Sequence, residues 1–183
     1  MLGACTEEPQ PTAKKEVKPV EPVTAVSAAY KVYREARGWA PDIMLLRVSS
    51  VAVKDMKGQE GGKAGAWEVE FVSPKLRQSR HYVYSAVDGV SGDPAASWSK
   101  VGQTQIFQLQ DLKTDSPAAF TTAMTKAQDY AAKHPELPVK FLCEWQKRHL
   151  NPTWRVYWGE SVATSGYSVY VDAVYDKFLS IAH

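Results

Sequence analysis

The chain repeats itself. Ala66-Trp67-Glu68-Val69-Glu70-Phe71 returns as Thr153-Trp154-Arg155-Val156-Tyr157-Trp158, and Val83-Tyr84-Ser85-Ala86-Val87 returns as Tyr170-Val171-Asp172-Ala173-Val174, both at an offset of about 87 residues. A helix-like segment opening Ala28-Ala29-Tyr30 precedes the first pair of matches, and one opening Ala118-Ala119-Phe120 precedes the second. Self-similarity at a fixed period marks one supersecondary unit used twice, so it restricts the fold severely. It names no reaction.

Within each copy the local pattern predicts a helix followed by strands. Thr24 to Ala40 carries Val26, Ala29, Tyr30, Tyr33 and Arg37 at helical spacing, and Gly38 with Pro41 closes it. Ile43 to Val53 is rich in Leu, Val and Ile and reads as a strand. Ala66 to Val72 alternates Trp67, Val69 and Phe71 against Glu68 and Glu70, a strand with one buried face, and His81 to Val87 is another. Lys57 to Gly65, with four glycines, reads as a mobile hairpin loop, and Gly89 to Pro94 as a turn. Ile106 to Leu109 suggests a strand leading into the second copy.

That copy opens with Asp115-Ser116-Pro117, a capping side chain just ahead of a proline. Ala119, Phe120, Ala123, Ala127 and Tyr130 then share one face, and His134-Pro135 ends the helix. Val139 to Glu144, Thr153 to Trp158 and Gly166 to Val174 read as strands, with turns at Asn151-Pro152 and Thr164-Ser165-Gly166. Trp67, Trp154 and Trp158 alternate inward and are assigned to the core. The expected fold class is α+β, two tandem units, each a helix packed on an antiparallel β-meander. Residues 24–110 hold the first unit with a connecting segment, residues 111–183 the second, and residues 1–23 a tether.

The tether has its own chemistry. Leu2-Gly3-Ala4-Cys5 resembles a bacterial lipobox, in which small residues precede a cysteine that is lipidated after signal cleavage. The charged n-region and apolar h-region of a signal peptide do not precede it, so lipidation of Cys5 implies a native start upstream of Met1. Thr6 to Pro22 consists largely of Pro, Glu, Lys, Thr and Val without an aromatic residue, a composition that buries too little apolar surface to fold and favours an extended spacer. Lipidation would fix the protein to an envelope membrane, facing the periplasm or exterior, by acyl chains alone. The second cysteine, Cys143, sits in the apolar run Val139 to Trp145 and is expected to be a buried structural thiol.

Here the sequence is similar to a family. Trp154-Arg155-Val156-Tyr157-Trp158, a polar hairpin, and Tyr167-Ser168-Val169-Tyr170-Val171-Asp172-Ala173 resemble the PepSY pattern of an aromatic-Val strand, a hairpin and a strand ending Val-Asp-Ala. The helix opening Asp115-Ser116-Pro117-Ala118-Ala119 resembles that family's acidic-Ser helix start. The likeness covers roughly residues 115 to 180. Residues 24 to 89 match less well, with Ser85 standing where the second copy has Asp172 and with a longer hairpin before it, and Tyr175-Asp176-Lys177 departs from the family's usual glycine turn. The resemblance implies a cystatin-like fold, occurrence in secreted or envelope proteins, and a role in binding or restraining peptidases. It brings no catalytic residue.

Other chemistry finds little support in the spacing. A formal charge of +2, with Lys and Arg spread along the chain, gives no electrostatic footprint for nucleic acid. No apolar run approaches the length of a membrane helix. His81, His134, His149 and His183 form no metal-binding pair, so no metal or cofactor is expected. Lys57 with its glycines lacks the order of a phosphate loop. Glu68 and Glu70 read as the solvent-facing stripe of an amphipathic strand, and Asp172 as the acceptor for amides of the following turn.

Among the six tryptophans, Trp98, Trp39 and Trp145 are the candidates for a binding surface, Trp98 above all because it lies in a Ser-rich loop. The function expected from all this is that of a non-enzymatic envelope lipoprotein binding a protein or peptide. The alternative is a binder of a small ligand or cell-wall glycan, which would need a concave pocket with convergent polar groups.

Overall fold

The computed structural model describes residues 21–53, 60–100 and 102–183. The lipidation candidate Cys5, most of the tether and Lys57-Gly58 of the glycine loop lie outside the described residues. In chain order the elements are helix α1 (Ala25–Ala36), strands β1 (Met44–Val51), β2 (Ala66–Ser73), β3 (Gln78–Ser85), β4 (Gly89–Gly92), β5 (Ala96–Ser97) and β6 (Thr104–Gln105), helix α2 (Ser116–Lys133), and strands β7 (Val139–Gln146), β8 (Thr153–Trp158), β9 (Tyr167–Asp172) and β10 (Phe178–Ala182). A 3-10 turn at Leu109–Asp111 precedes α2.

All strands belong to one antiparallel sheet, with spatial order β10-β9-β8-β7-β1-β2-β3-β4; β5 lengthens the margin beside β3, and β6 pairs with β7. The two meanders meet through their first strands. Arg47 lies opposite Glu144, Val48 opposite Cys143 and Ser49 opposite Leu142, while the amide of Phe141 donates to Ser50 Oγ at 2.9 Å. Both helices cover the same face, α1 over β1 to β4 and α2 over β8 and β9. One core runs beneath them, with Trp67, Phe141 and Trp154 stacked edge to face or tilted across the junction at centroid distances of 6.1 and 6.3 Å. A continuous sheet and a continuous core make the described residues one α+β domain rather than two detached units.

The repeated motifs occupy matched positions. Tyr82 lies thirteen positions after its cross-strand partner Val69, and Val169 lies thirteen positions after Val156. The two hairpins are thus equal in length, contrary to the longer first hairpin expected from the sequence; the first spends those residues on longer strands and the second on a longer loop. Trp67 and Trp154 are both fully buried. A buried indole N–H needs a partner, and each donates to the carbonyl just ahead of a helix cap: Trp67 to Val23 at 2.9 Å and Trp154 to Thr114 at 2.8 Å.

The helix starts explain how the layer closes. Thr24 caps α1 and accepts from Ser27 N, but the amides of Ala25 and Val26 are satisfied from across the molecule, by Ser116 Oγ and Asp115 Oδ1, each at 3.0 Å. Asp115 also caps its own helix through Ser116 N at 2.7 Å. One carboxylate therefore serves the amide-rich, electropositive ends of both helices. Gly62 (φ +86°) passes over this point so closely that a Cβ would lie 2.5 Å from Pro117 Cα.

Three local expectations need correction, and one strand is added to them. The inward face of α1 is Ala25, Ala28, Ala29, Val32 and Ala36, whereas Tyr30 is exposed; small side chains let the helix sit close on the aromatic sheet. Gly89 to Gly92 is a strand, because Gly89 at φ +81° reverses the chain and sets Val90 beside Tyr84. Beyond β6, Ile106 to Leu109 is not a strand: Phe107 makes a single bridge to Leu45 before the 3-10 turn begins. β10 was unforeseen, since its five residues carry no alternation.

Candidate binding surfaces

Strand alternation sends Trp67, Val69 and Phe71 under the helices and their neighbours Glu68 and Glu70 to the opposite face. Among the described residues no helix covers that opposite face. In the β1–β3 half it is polar around Arg47, Glu68 and His81, which are open to solvent, and closes toward Glu70 and Val72, which are largely and fully buried. Arg47 Nε lies 2.9 Å from Glu70 Oε2, and Ser49 Oγ donates to Glu68 Oε2 at 3.3 Å. His81 stands between two carboxylates, its Nδ1 3.1 Å from Asp93 Oδ2 and its Nε2 3.8 Å from Glu68 Oε2. Among the described residues no hydroxyl or thiol is hydrogen-bonded to His81, so the cluster lacks the nucleophile–base contact of covalent catalysis. Glu70 is largely buried, with 14% of its side chain exposed, whereas the His81, Glu68 and Asp93 groups are open to solvent, and ion pairs so exposed contribute little to folding and can exchange partners at small cost.

In the β7–β9 half the same face is partly roofed. The loop between Trp158 and Tyr167 is pinned by Arg155, which donates to Ser168 Oγ, Val162 O and Ser165 Oγ at 3.0, 3.2 and 3.2 Å. Lys140 Nζ holds Glu160 through its carbonyl and carboxylate at 2.6 and 2.9 Å. Tyr157 is buried beneath, and that burial raises its phenol pKa. The Arg155 guanidinium lies 5.6 Å from the Tyr170 ring and 6.0 Å from that of Tyr157. Beside it Glu144, Gln146, His149, Thr153, Arg155 and Tyr170 line a hollow of about 10 Å³, room for one water and not for a sugar. Burial, then the charge of Arg148, lowers the His149 pKa. A separate open concavity of about 500 Å³ is lined by Glu21, Pro22, Glu60, Gly61 and Lys63.

The tryptophans singled out from sequence are all half-buried. Trp39 and Trp145 pack on the core, Trp145 also stacking edge-on against Phe107 and donating its indole N–H to His149 O at 3.0 Å. Trp98 follows β5 and is held by its amide to Arg77 O at 2.8 Å. Among the described residues no ring contact joins any two of the three. Cys143 is free and fully buried, and desolvation pushes its thiol well above the usual range, which leaves it protonated and inert. No group of three His, Cys, Asp or Glu among the described residues is placed to hold a metal ion.

Sequence reasoning missed the apolar margin at β10. Phe178, Leu179 and Ile181 are each close to 40% exposed and Tyr175 more so. The available signal was a run without a charge from Phe178 to Ala182, too short to declare a strand.

No helix among the described residues is long and apolar enough to cross a membrane. No family model matches the chain, and no curated protein matches it. Among solved structures, the chain is similar to one described as a proposed lipoprotein of Clostridium difficile 630, with a TM-score of 0.50 at 10% identity, over 82% of this chain and 89% of the other. At that identity the likeness speaks for a shared fold.

Proposed function

We propose that this chain is a non-enzymatic, lipid-tethered module of a bacterial envelope, built from two PepSY-like, cystatin-like units fused through β1 and β7, that binds a protein or peptide and restrains a peptidase. The observation that carries the binding role is the placement of both helices on one face, which leaves the Arg47, Ser49, Glu68, Glu70 and His81 side of the sheet as a broad polar surface. The exposed carboxylates of Glu68 and Asp93, held by exchangeable partners, suit the amides and cations of a polypeptide better than a small ligand, which needs an enclosing pocket. The lipid tether is supported by the lipobox-like Leu2-Gly3-Ala4-Cys5 and by the description of the structural neighbour.

The test is a photo-crosslinking amino acid introduced in place of Glu68 on the helix-free face or of Thr125 on the outer side of α2, in cells producing the tethered protein. One envelope protein crosslinked from position 68 and absent from position 125 supports the proposal. Equal labelling from both positions, or none from position 68, overturns it.

A further inference from the structure

The two helices match at their buried positions and differ on their outer sides. Ala25, Ala28, Val32 and Ala36 of α1 align with Ser116, Ala119, Ala123 and Ala127 of α2 at one offset of 91 residues, and all of them are buried. In that alignment Tyr30, Arg34 and the C-cap Arg37 fall on Thr121, Thr125 and Gln128, and each of these side chains is exposed. The same scaffold positions thus fold without a charge or a ring. With Tyr33, the α1 residues run at i, i+3, i+4 and i+7, one strip of helix surface. Tyr30 stands edge-on to Tyr33 at 6.5 Å, and Arg37 Nη1 donates to the Tyr33 hydroxyl at 3.3 Å. Among the described residues no carboxylate pairs with Arg34 or Arg37. The intervening Glu35 falls on the opposite flank, toward Tyr82, and Lys31 on that flank donates to the Tyr84 hydroxyl at 2.7 Å. Val23 is fixed to Ala64 by two backbone hydrogen bonds of 3.0 Å. The tether therefore joins the domain at the start of α1, about one and a half turns from Tyr30.

We infer that the outer side of α1 docks on the anionic headgroups of a bilayer and holds the domain against the membrane with its helix-free face turned outward. The inference rests on the lipid tether proposed above. Unpaired arginines call for an anionic partner, and their place beside the tether makes the bilayer the anion always within reach. Tyrosine beside arginine also suits an interface, where the ring enters below the headgroups while the hydroxyl and guanidinium stay among the phosphates. Each cation near an anionic surface strengthens binding about fivefold. Arg34 and Arg37 are thus too few to bring a free protein to a membrane, but sufficient to orient one that a tether already keeps at high effective concentration. Both helices lie on one face of the sheet. Docking through α1 therefore directs the Glu68 and His81 side away from the bilayer, toward polypeptides in the surrounding compartment.

The experiment couples Cys5 of the full chain to a maleimide-headgroup lipid, the other thiol, Cys143, being fully buried. Vesicles hold phosphatidylglycerol and phosphatidylcholine in equal parts, or phosphatidylcholine alone. An environment-sensitive fluorescent amino acid replaces Tyr30 or Ser91, the latter opposite Val83 on the helix-free side. Chemical coupling supplies the tether whether or not cells lipidate Cys5, and that separate question is read by metabolic labelling with an alkyne fatty acid. The expected result is a blue shift at position 30 on the anionic vesicles, with none at position 91 and none on the neutral vesicles. Arg34→Gln with Arg37→Gln should lower the ratio of docked to undocked protein about thirtyfold. Salt at about 1 M, where charge reaches only ~3 Å, should also abolish the shift. Thermal unfolding confirms that each variant is folded. No shift at position 30, an equal shift at both positions or on both vesicles, or a shift that survives loss of both arginines would each overturn the inference. So would a shift with soluble polyglutamate and none with vesicles, which would assign the stripe to an acidic protein.

Discussion

The β1–β4 half and the β7–β10 half share a plan and diverge in what they expose. Each lays a helix on a meander and buries a tryptophan whose indole is tied to the carbonyl before the helix cap. Each also closes the turn after its third strand with one side chain accepting two amides: Ser85 Oγ takes Val87 and Asp88, and Asp172 Oδ1 takes Val174 and Tyr175. Where the backbone must be held, the two halves agree, even when the residue differs. Where the surface is free, they part: the first half keeps its helix-free face open, while the second roofs that face with an Arg155-pinned loop and leaves its edge bare. Shared positions therefore report on folding, and the divergent ones are where specificity has room to reside.

The comparison can be broken most forcefully at the tryptophans. Trp67→Ala and Trp154→Ala should each cost about 3–5 kcal/mol, with a single denaturation transition in either case because the core is continuous. Two separated transitions by tryptophan fluorescence and circular dichroism would show that the halves fold independently.

A smaller effect sharpens the turn equivalence. Asp172→Ala should cost about 2 kcal/mol, because the carboxylate also accepts from Asn151 Nδ2 at 2.9 Å, and hydrogen bonds to a charged group are the stronger kind. Ser85→Ala, losing a neutral acceptor, should cost about 1 kcal/mol. Equal losses in urea titrations would mean that the charge at Asp172 adds nothing to the turn.

These residues also mark how far the sequence was legible. The 87-residue offset located both tryptophans and the two hairpins they begin, because core positions must repeat for one architecture to be built twice, while helical spacing of apolar residues located both helices. Asp115-Ser116-Pro117 located the start of α2 and Asp172 its turn, since capping is local chemistry. The β1–β7 junction was not legible: strand order depends on which edges meet, and Val48 and Cys143 look like ordinary core residues in sequence. Nor was the open polar face, whose members lie on separate strands and become neighbours only through register.

The smallest effect concerns a clamp that the first half holds by itself. Ser73 Oγ and the amide of Lys75 donate to Asp42 at 2.7 and 2.9 Å, and these bonds, the Ser73 one foremost, lower the Asp42 pKa below 3.8. A depressed carboxylate contributes its stability in full above the unfolded value and loses it as pH falls through the folded one. Asp42→Asn should therefore flatten the acid limb of the stability curve below pH 3.8, by only a few tenths of a kcal/mol for so exposed a group. An unchanged limb in acid titrations followed by circular dichroism would remove Asp42 from the clamp.

The carboxylate shared by the two helix starts has a consequence for the integrity of the polypeptide. If the backbone were severed between the exposed residues Ser99 and Lys100, the leading fragment would retain α1 but lack Asp115 and Ser116, the acceptors of its first two amides. It would also expose β1 where β7 had been, and the trailing fragment would expose β7 in the same way. Neither piece could complete itself, yet each would carry what the other lacks. The molecule is thus suited to division into complementing fragments whose reassembly, rather than either piece, restores the native state.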